Sequence, residues 1–201
     1  MNEFTKISKK NLIKENQILI QVLGICSTLA VTNNLRNTMI MAIGVTLVTG
    51  LSNLTVSFLK KYIPRKVRMM VETLIIAFYV IIVDIILRAY LPDVSKALGP
   101  YVGLIITNCI IMGRAEAFAQ ANSPLISLWD GLTAGAGYAL VLIVIAFVRE
   151  LLGFGTIFNI RIMPENFTPW TIMVMAPSAF FIVALLMWVA KSMSLKAGGK
   201  K

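Results

Sequence analysis

Apolar residues run along this chain in six blocks, about 17–32, 38–59, 68–90, 100–113, 131–152 and 171–190, separated by short polar punctuation. The second, third, fifth and sixth hold roughly 20 residues or more, enough at about 1.5 Å per residue to cross a hydrocarbon core of about 30 Å as a helix. The first and fourth are shorter. "QILIQVLGICSTLAVTNN" carries Gly24 two residues before Cys26 and fades into Thr32, Asn33 and Asn34, while "YVGLIITNCIIMGRAEAF" carries Gly103, Thr107, Asn108 and Gly113 around Cys109. Both read as broken half-helices. Irregular backbone at membrane depth is tolerated only where protein or a polar cavity satisfies its N–H and C=O groups, so these two segments are expected to be buried in an assembly.

The order short, long, long, short, long, long is an internal repeat of three spans. Three is odd, so the second copy crosses in the opposite direction and the pair forms an inverted repeat. The predicted fold is therefore an all-α polytopic membrane protein of six spans. Residues 1–16 form a basic N-terminal segment, 17–90 the first repeat, 100–190 the second, and 191–201 a C-terminal tail. Cys26 and Cys109 take equivalent places in the two copies, each about 12–14 Å into its span, so the two sulfurs are expected near the midplane.

Composition agrees with the pattern, at 58% hydrophobic and 14% charged residues in 201, too apolar for an ordinary soluble domain. The net charge of +10 does not imply nucleic acid, because the cations sit between apolar blocks and not along one face. Fourteen of the 19 basic residues fall in alternate inter-span segments and five in the others, which by the positive-inside rule puts both termini in the cytoplasm. "MNEFTKISKKNLIKEN" is polar and no A-x-A-like site follows the first apolar block, so no cleavable signal is expected. Histidine is absent, which removes histidine metal ligation and acid/base chemistry.

A buried free cysteine is usually a small hydrophobe. Two at matched positions, each beside a helix break, also fit metal ligation, because a thiolate at membrane depth needs a cation and nearby N–H donors. Thiolate pairs suit Cu(I), zinc or an iron–sulfur cluster, and a 2Fe-2S cluster wants four cysteines, two more than this chain holds. Gly24, Thr107, Asn108 and Gly113 are the flanking positions expected to supply backbone at such a site. Packing and ligation both stand at this point.

Asp84, four residues before Arg88 in "YVIIVDIILRAY", is either half of an (i, i+4) ion pair or an ion-pathway carboxylate. Glu72 and Glu150, the latter beside Arg149, are expected at an interface, and Arg114, Glu116 and Asp130 as ion pairs holding the loop after the fourth block. "GLTAG", Gly131 to Gly135, is a small-residue stripe suited to close helix contact. Pro177 is expected to kink the last helix or end its first turn, Pro64 to break the chain in the basic loop "LKKYIPRKVR", and the segment from Glu150 to Trp170, with "PENFTP" inside it, to be a loop without chemistry.

The stretches "QVLGICSTLAVT", "ITNCIIMGRAEAFA", "LWDGL" and "MAPSAFF" resemble the family of integral membrane subunits shared by sodium-translocating NADH:quinone oxidoreductases and Rnf ferredoxin:NAD oxidoreductases, over about residues 15 to 190. "ICSTLAVT" and "APSAF" resemble the quinone-reductase branch, the Rnf relatives having "LCPLLAVT" and "PPGAF". The resemblance implies a 2Fe-2S cluster shared with a homologous membrane partner, the E subunit, with Cys26 and Cys109 as this chain's ligands. It also implies a complex in the bacterial inner membrane using NADH, FAD, FMN, riboflavin, quinone and Na+, with a cytoplasmic NADH/FAD/2Fe-2S subunit and covalent-flavin subunits as further partners. Electrons would cross the membrane singly in redox-driven Na+ export, helped by shifts of the broken helices. Two competing classes lack the cluster: an inverted-repeat ion transporter centred on Asp84, and an assembly scaffold. No dinucleotide fingerprint is present, so NADH would bind elsewhere.

Overall fold

The computed structural model describes residues 23–32, 34–90, 92–154, 156–157, 160–161 and 175–198. The N-terminal segment, the start of the first apolar block and "PENFTP" lie outside these. Among the described residues the elements are α1 (Ile25–Val31), α2 (Leu35–Leu59), a 3-10 turn (Arg65–Val67), α3 (Arg68–Tyr90), α4 (Pro92–Ile106), α5 (Cys109–Arg114), a π-helical turn (Ala115–Ala119), α6 (Pro124–Phe154) and α7 (Ala176–Gly198). Two-residue strands, Thr156–Ile157 and Ile160–Arg161, pair antiparallel just beyond α6.

Four stretches of described helix are long and apolar enough to cross a membrane, at Leu35–Leu59, Arg65–Tyr90, Tyr101–Ala119 and Pro124–Gly153, and a shorter apolar helix covers Pro177–Ser192. Among the described residues the protein is thus an all-helical, multi-pass bundle apart from one small ladder. Two helix starts lie earlier than the apolar blocks imply. Asn34 caps α2 by accepting the Arg36 N–H at 3.1 Å, and Pro124 opens α6 well before Gly131, since a proline at the first helical position lacks only an N–H that would be unpaired anyway. Pro177 corrects its expected role in the same way. It stands at the second residue of α7, in the first turn of that helix, where a missing N–H would be unpaired anyway, and so does not interrupt the helix interior.

α2 and α6 form the centre: 56% of the apolar stretch of each is buried, against 17% for α3. The small-residue stripe lets them meet at backbone distance. A Cβ on Gly135 would fall 2.7 Å from the Thr46 Cα, and one on Gly131 would fall 2.8 Å from the Thr49 carbonyl oxygen. Val45, Val48, Ile76, Tyr138, Leu142 and Ile145 fill the core around this contact. The hydroxyls of Thr46, Thr49, Ser52 and Thr55 each donate to the carbonyl four residues earlier in α2, which satisfies them in an apolar medium, whereas the side chain of Asn53, fully buried in the same helix, has no hydrogen-bond partner.

Gly135→Leu is expected to force α2 and α6 apart and to cost about 1–3 kcal/mol or more by overpacking. A lowered melting temperature of the purified protein, with Gly99→Ala unchanged because open space surrounds that position, would bear this out.

Candidate functional site

A helix start and a helix break meet inside the bundle. Gly24, at φ +81, precedes the seven-residue α1, and Thr107–Asn108 separates α4 from α5. The Gly24 N–H donates to the Cys109 Sγ at 3.0 Å. Only glycine suits this position, since its φ is left-handed and a Cβ would fall 2.5 Å from the Ile110 Cδ1 and 3.0 Å from the Tyr138 ring. Cys109 is the first residue of α5 and half-buried, and Cys26 is the second residue of α1 and exposed; both are free thiols. Among the described residues no group of three or more His, Cys, Asp or Glu could hold a metal.

The broken backbone is satisfied locally. The Gly24 carbonyl accepts from the Ser27 Oγ at 3.1 Å, the Thr28 Oγ1 at 2.8 Å and the Thr28 N–H at 3.2 Å. The Asn108 side-chain oxygen caps α5 by accepting the Ile110 N–H at 3.1 Å, and its Nδ2 donates to the Ser27 Oγ at 3.5 Å. Tyr138 Oη lies 2.5 Å from the same Ser27 Oγ. Thr107 is exposed, with its Oγ1 at 3.4 Å from the Gly103 carbonyl, and Gly113 faces Leu23. Of the four flanking positions, Gly24 and Asn108 therefore bear on the cysteines directly.

Tyr138 and Ser27 escaped the sequence reading because they lie inside apolar runs. The available signal was a tyrosine in mid-span, whose hydroxyl needs a partner when buried. Glu150, expected at an interface, is buried within the protein near the end of α6, as is its neighbour Arg149, at 3% and 2% exposure. Arg149 donates to the Thr32 Oγ1 at 2.6 Å, at the end of α1, and to the Met175 carbonyl at 3.3 Å. Glu150 accepts the Leu35 N–H at 2.7 Å, at the start of α2. A cation thus meets a helix C-terminus and an anion a helix N-terminus, the signs that the helix dipoles favour.

At the opposite end of the bundle Arg114 holds Asp130 through two contacts, Nε to Oδ2 at 3.1 Å and Nη2 to Oδ1 at 2.5 Å, with its guanidinium 5.6 Å from the Phe118 ring. Glu116 pairs with Arg68 at 2.9 Å. The first pairing follows the sequence expectation; the second joins Glu116 to Arg68, outside the group expected to pair. Glu72 departs from the expectation too: it is fully buried, accepts from Gln120 at 2.5 Å, and has its Oε2 unpartnered. The π-helical turn, which places Gln120 one turn beyond Glu116, draws this carboxylate inside. Asp84 pairs with Arg88 at 2.9 Å, with side chains 16% and 70% exposed, and stands apart from the cysteines in sequence and on another helix.

Long apolar helices of this kind, with free thiols at the first turns of α1 and α5, are those of an integral membrane protein. A profile of the family described as "Rnf-Nqr subunit, membrane protein" matches residues 4–187, and the chain belongs to that family. It is 49% identical over 184 residues, 89% of this chain and 82% of the relative, to the D subunit of the Na(+)-translocating NADH-quinone reductase of Pseudomonas aeruginosa strain LESB58. With the protein of the same name from Proteus mirabilis strain HI4320 it shares 47% over 191 residues, 92% of this chain and 91% of the relative.

Gly24→Ala is expected to strain the break by about 1–3 kcal/mol and to free the Cys109 sulfur from its N–H. Faster maleimide labelling of Cys109, with Cys26 labelling unchanged, would register that local loosening. Asp130→Ala leaves the Arg114 charge buried, at a cost of about 3–5 kcal/mol, and should lower the yield of folded protein far more than Glu116→Ala at its exposed pair.

Proposed function

We propose that this chain is the D subunit of a Na+-translocating NADH-quinone reductase, an oxidoreductase complex, and that Cys26 and Cys109 hold half of an intramembrane 2Fe-2S cluster. The observation that carries the reading is the 3.0 Å contact from the Gly24 N–H to the Cys109 Sγ. It joins the helix start and the helix break at a cysteine, and a hydrogen bond to sulfur is one of the levers that tune an iron–sulfur centre. Two thiols fall short of a complete ligand set, and the exposure of Cys26 fits a second pair from a homologous partner, the E subunit, seated against this face. Bound there, the cluster supplies a one-electron carrier at membrane depth.

The chain's own residues do the positioning. Asn108 and the Ser27–Tyr138 contact fix the starts of α5 and α1 against α6, while Gly24 gives α1 a joint at which to turn. The short α1 and α5 are the segments able to shift against the rigid α2–α6 pair. The six spans form an inverted repeat with both termini cytoplasmic, in the bacterial inner membrane. The name of those relatives supports NADH, quinone and Na+ as the reactants of the whole complex, and flavins are its proposed further cofactors. The match to relatives named as D subunits favours the quinone reductase over the Rnf complex. Asp84, held by Arg88 in α3, has the structural role, and its competing role as an ion-pathway carboxylate belongs to the cluster-free transporter.

Iron content and the reduced-state electron paramagnetic resonance spectrum of the anaerobically purified complex separate these readings. Cys26→Ala and Cys109→Ala should each abolish one cluster signal with the complex still assembled, while Asp84→Asn leaves it intact. Survival of every signal in both cysteine variants, with Na+ transport lost only in Asp84→Asn, would replace the cluster with the transporter.

A further inference from the structure

Glu72 has no part in the cysteine site, yet it is fully buried and its Oε2 meets no donor. Its other oxygen accepts from the Gln120 Nε2 at 2.5 Å. The Glu116 carboxyl stands within hydrogen-bonding reach of the Glu72 carboxyl, and Arg68 is the cation nearby. Two carboxylates that approach so closely with no donor between them need a cation or a proton there, because like charges repel and an ionised carboxylate in an apolar medium is costly unless paired.

The surroundings supply a way in. Arg68 and Met69 precede Glu72 by four and three residues, so they share its face of α3 one turn nearer the start of the helix. With Arg65, Lys66 and Glu116 they line an open cleft of about 440 Å³. Glu116 belongs to the π-helical turn and Gln120 follows it directly, and turns of this form recur at functional sites. Charge then decides what fits. Arg68 and Glu116 offset one another at 2.9 Å, which leaves the negative charge of Glu72, while Arg65 and Lys66 are exposed on the 3-10 turn, where water and salt screen them. One monovalent cation restores neutrality, and a divalent ion overshoots. Carboxylate and amide oxygens are hard donors that suit such an ion, and a glutamine amide can turn to present its oxygen. We infer that Glu72, Glu116 and Gln120 bind one Na+, taken up through the cleft. The identity of the ion rests on the Na+-translocating reading above; the site itself is separate from the cysteines and does not need the cluster.

The test uses the whole purified complex, as wild type and as Glu72→Gln, Glu116→Gln and Asp84→Asn. Thermal protection is followed as NaCl replaces choline chloride at constant ionic strength, with KCl and MgCl2 as comparison salts. Ion binding and not turnover is read, so the outcome is independent of the iron and paramagnetic-resonance test of the cluster. Na+ should protect wild type, and Glu72→Gln, which keeps the shape of the side chain, should need at least roughly 10-fold more Na+ for half-protection. Glu116→Gln, at a side chain 45% exposed, should shift the same way, and it carries the test if Glu72→Gln does not assemble. Asp84→Asn should match wild type. Four results would overturn the inference: no protection of wild type by Na+, protection by KCl or MgCl2 as strong as by NaCl, an unchanged half-point in both glutamine variants, which would leave a shared proton to close the pair, or a shift confined to Asp84→Asn.

Discussion

A helix that stops inside a membrane leaves N–H and C=O groups with no water to meet them, at several kcal/mol for each one unsatisfied. The arrangement of this protein's interior follows from that constraint. At Gly24 the carbonyl collects Ser27, Thr28 and a backbone N–H, and the Gly24 N–H goes to the Cys109 sulfur. At Asn108 the side chain takes over the capping of α5. The cysteines are held where they are because the breaks beside them have no other cheap way to close.

One helix supports all of this. The 31-residue α6 presents glycines to α2 at backbone distance, Tyr138 to the start of α1, and Arg149 to its end about three turns further on. Its Asp130 holds Arg114 at the end of α5, and its Glu150 the start of α2. The buried charges of α6 thus sit near its two ends, and the intervening turns carry apolar core and one tyrosine. α3 and α7, by contrast, expose large apolar side chains such as Phe78, Ile85, Phe181 and Trp188, as elements facing lipid or another protein of the complex do.

The local rules read from the sequence succeeded where the cause was local. Arg88 lies four residues after Asp84, so their pairing follows from helix geometry alone, and "GLTAG" declares a close contact whatever its partner. The burial of Glu72 and Glu150 went unread because it depends on a group far along the chain, Gln120 for Glu72 and Leu35 for Glu150, as that of the neighbouring Arg149 depends on Thr32. A charged residue near the end of an apolar block looks interfacial until that partner is known. The start of α6 at Pro124 was missed for another reason, since hydropathy registers the apolar stretch and not the amphipathic turns before it.

What the sequence determined by itself was the class of molecule and the places where its helices fail. Long apolar blocks dictate spans because hydrocarbon cannot satisfy an open backbone, and Gly24 and Asn108 start α1 and α5 through backbone freedom and side-chain capping that are local to the chain. Tertiary structure alone decided which interruptions meet, bringing Gly24 against Cys109 across a separation of 85 positions and hanging both on Tyr138. That choice rests on glycine contacts and buried hydrogen bonds between distant helices, whose energies exist only once the chain has closed on itself.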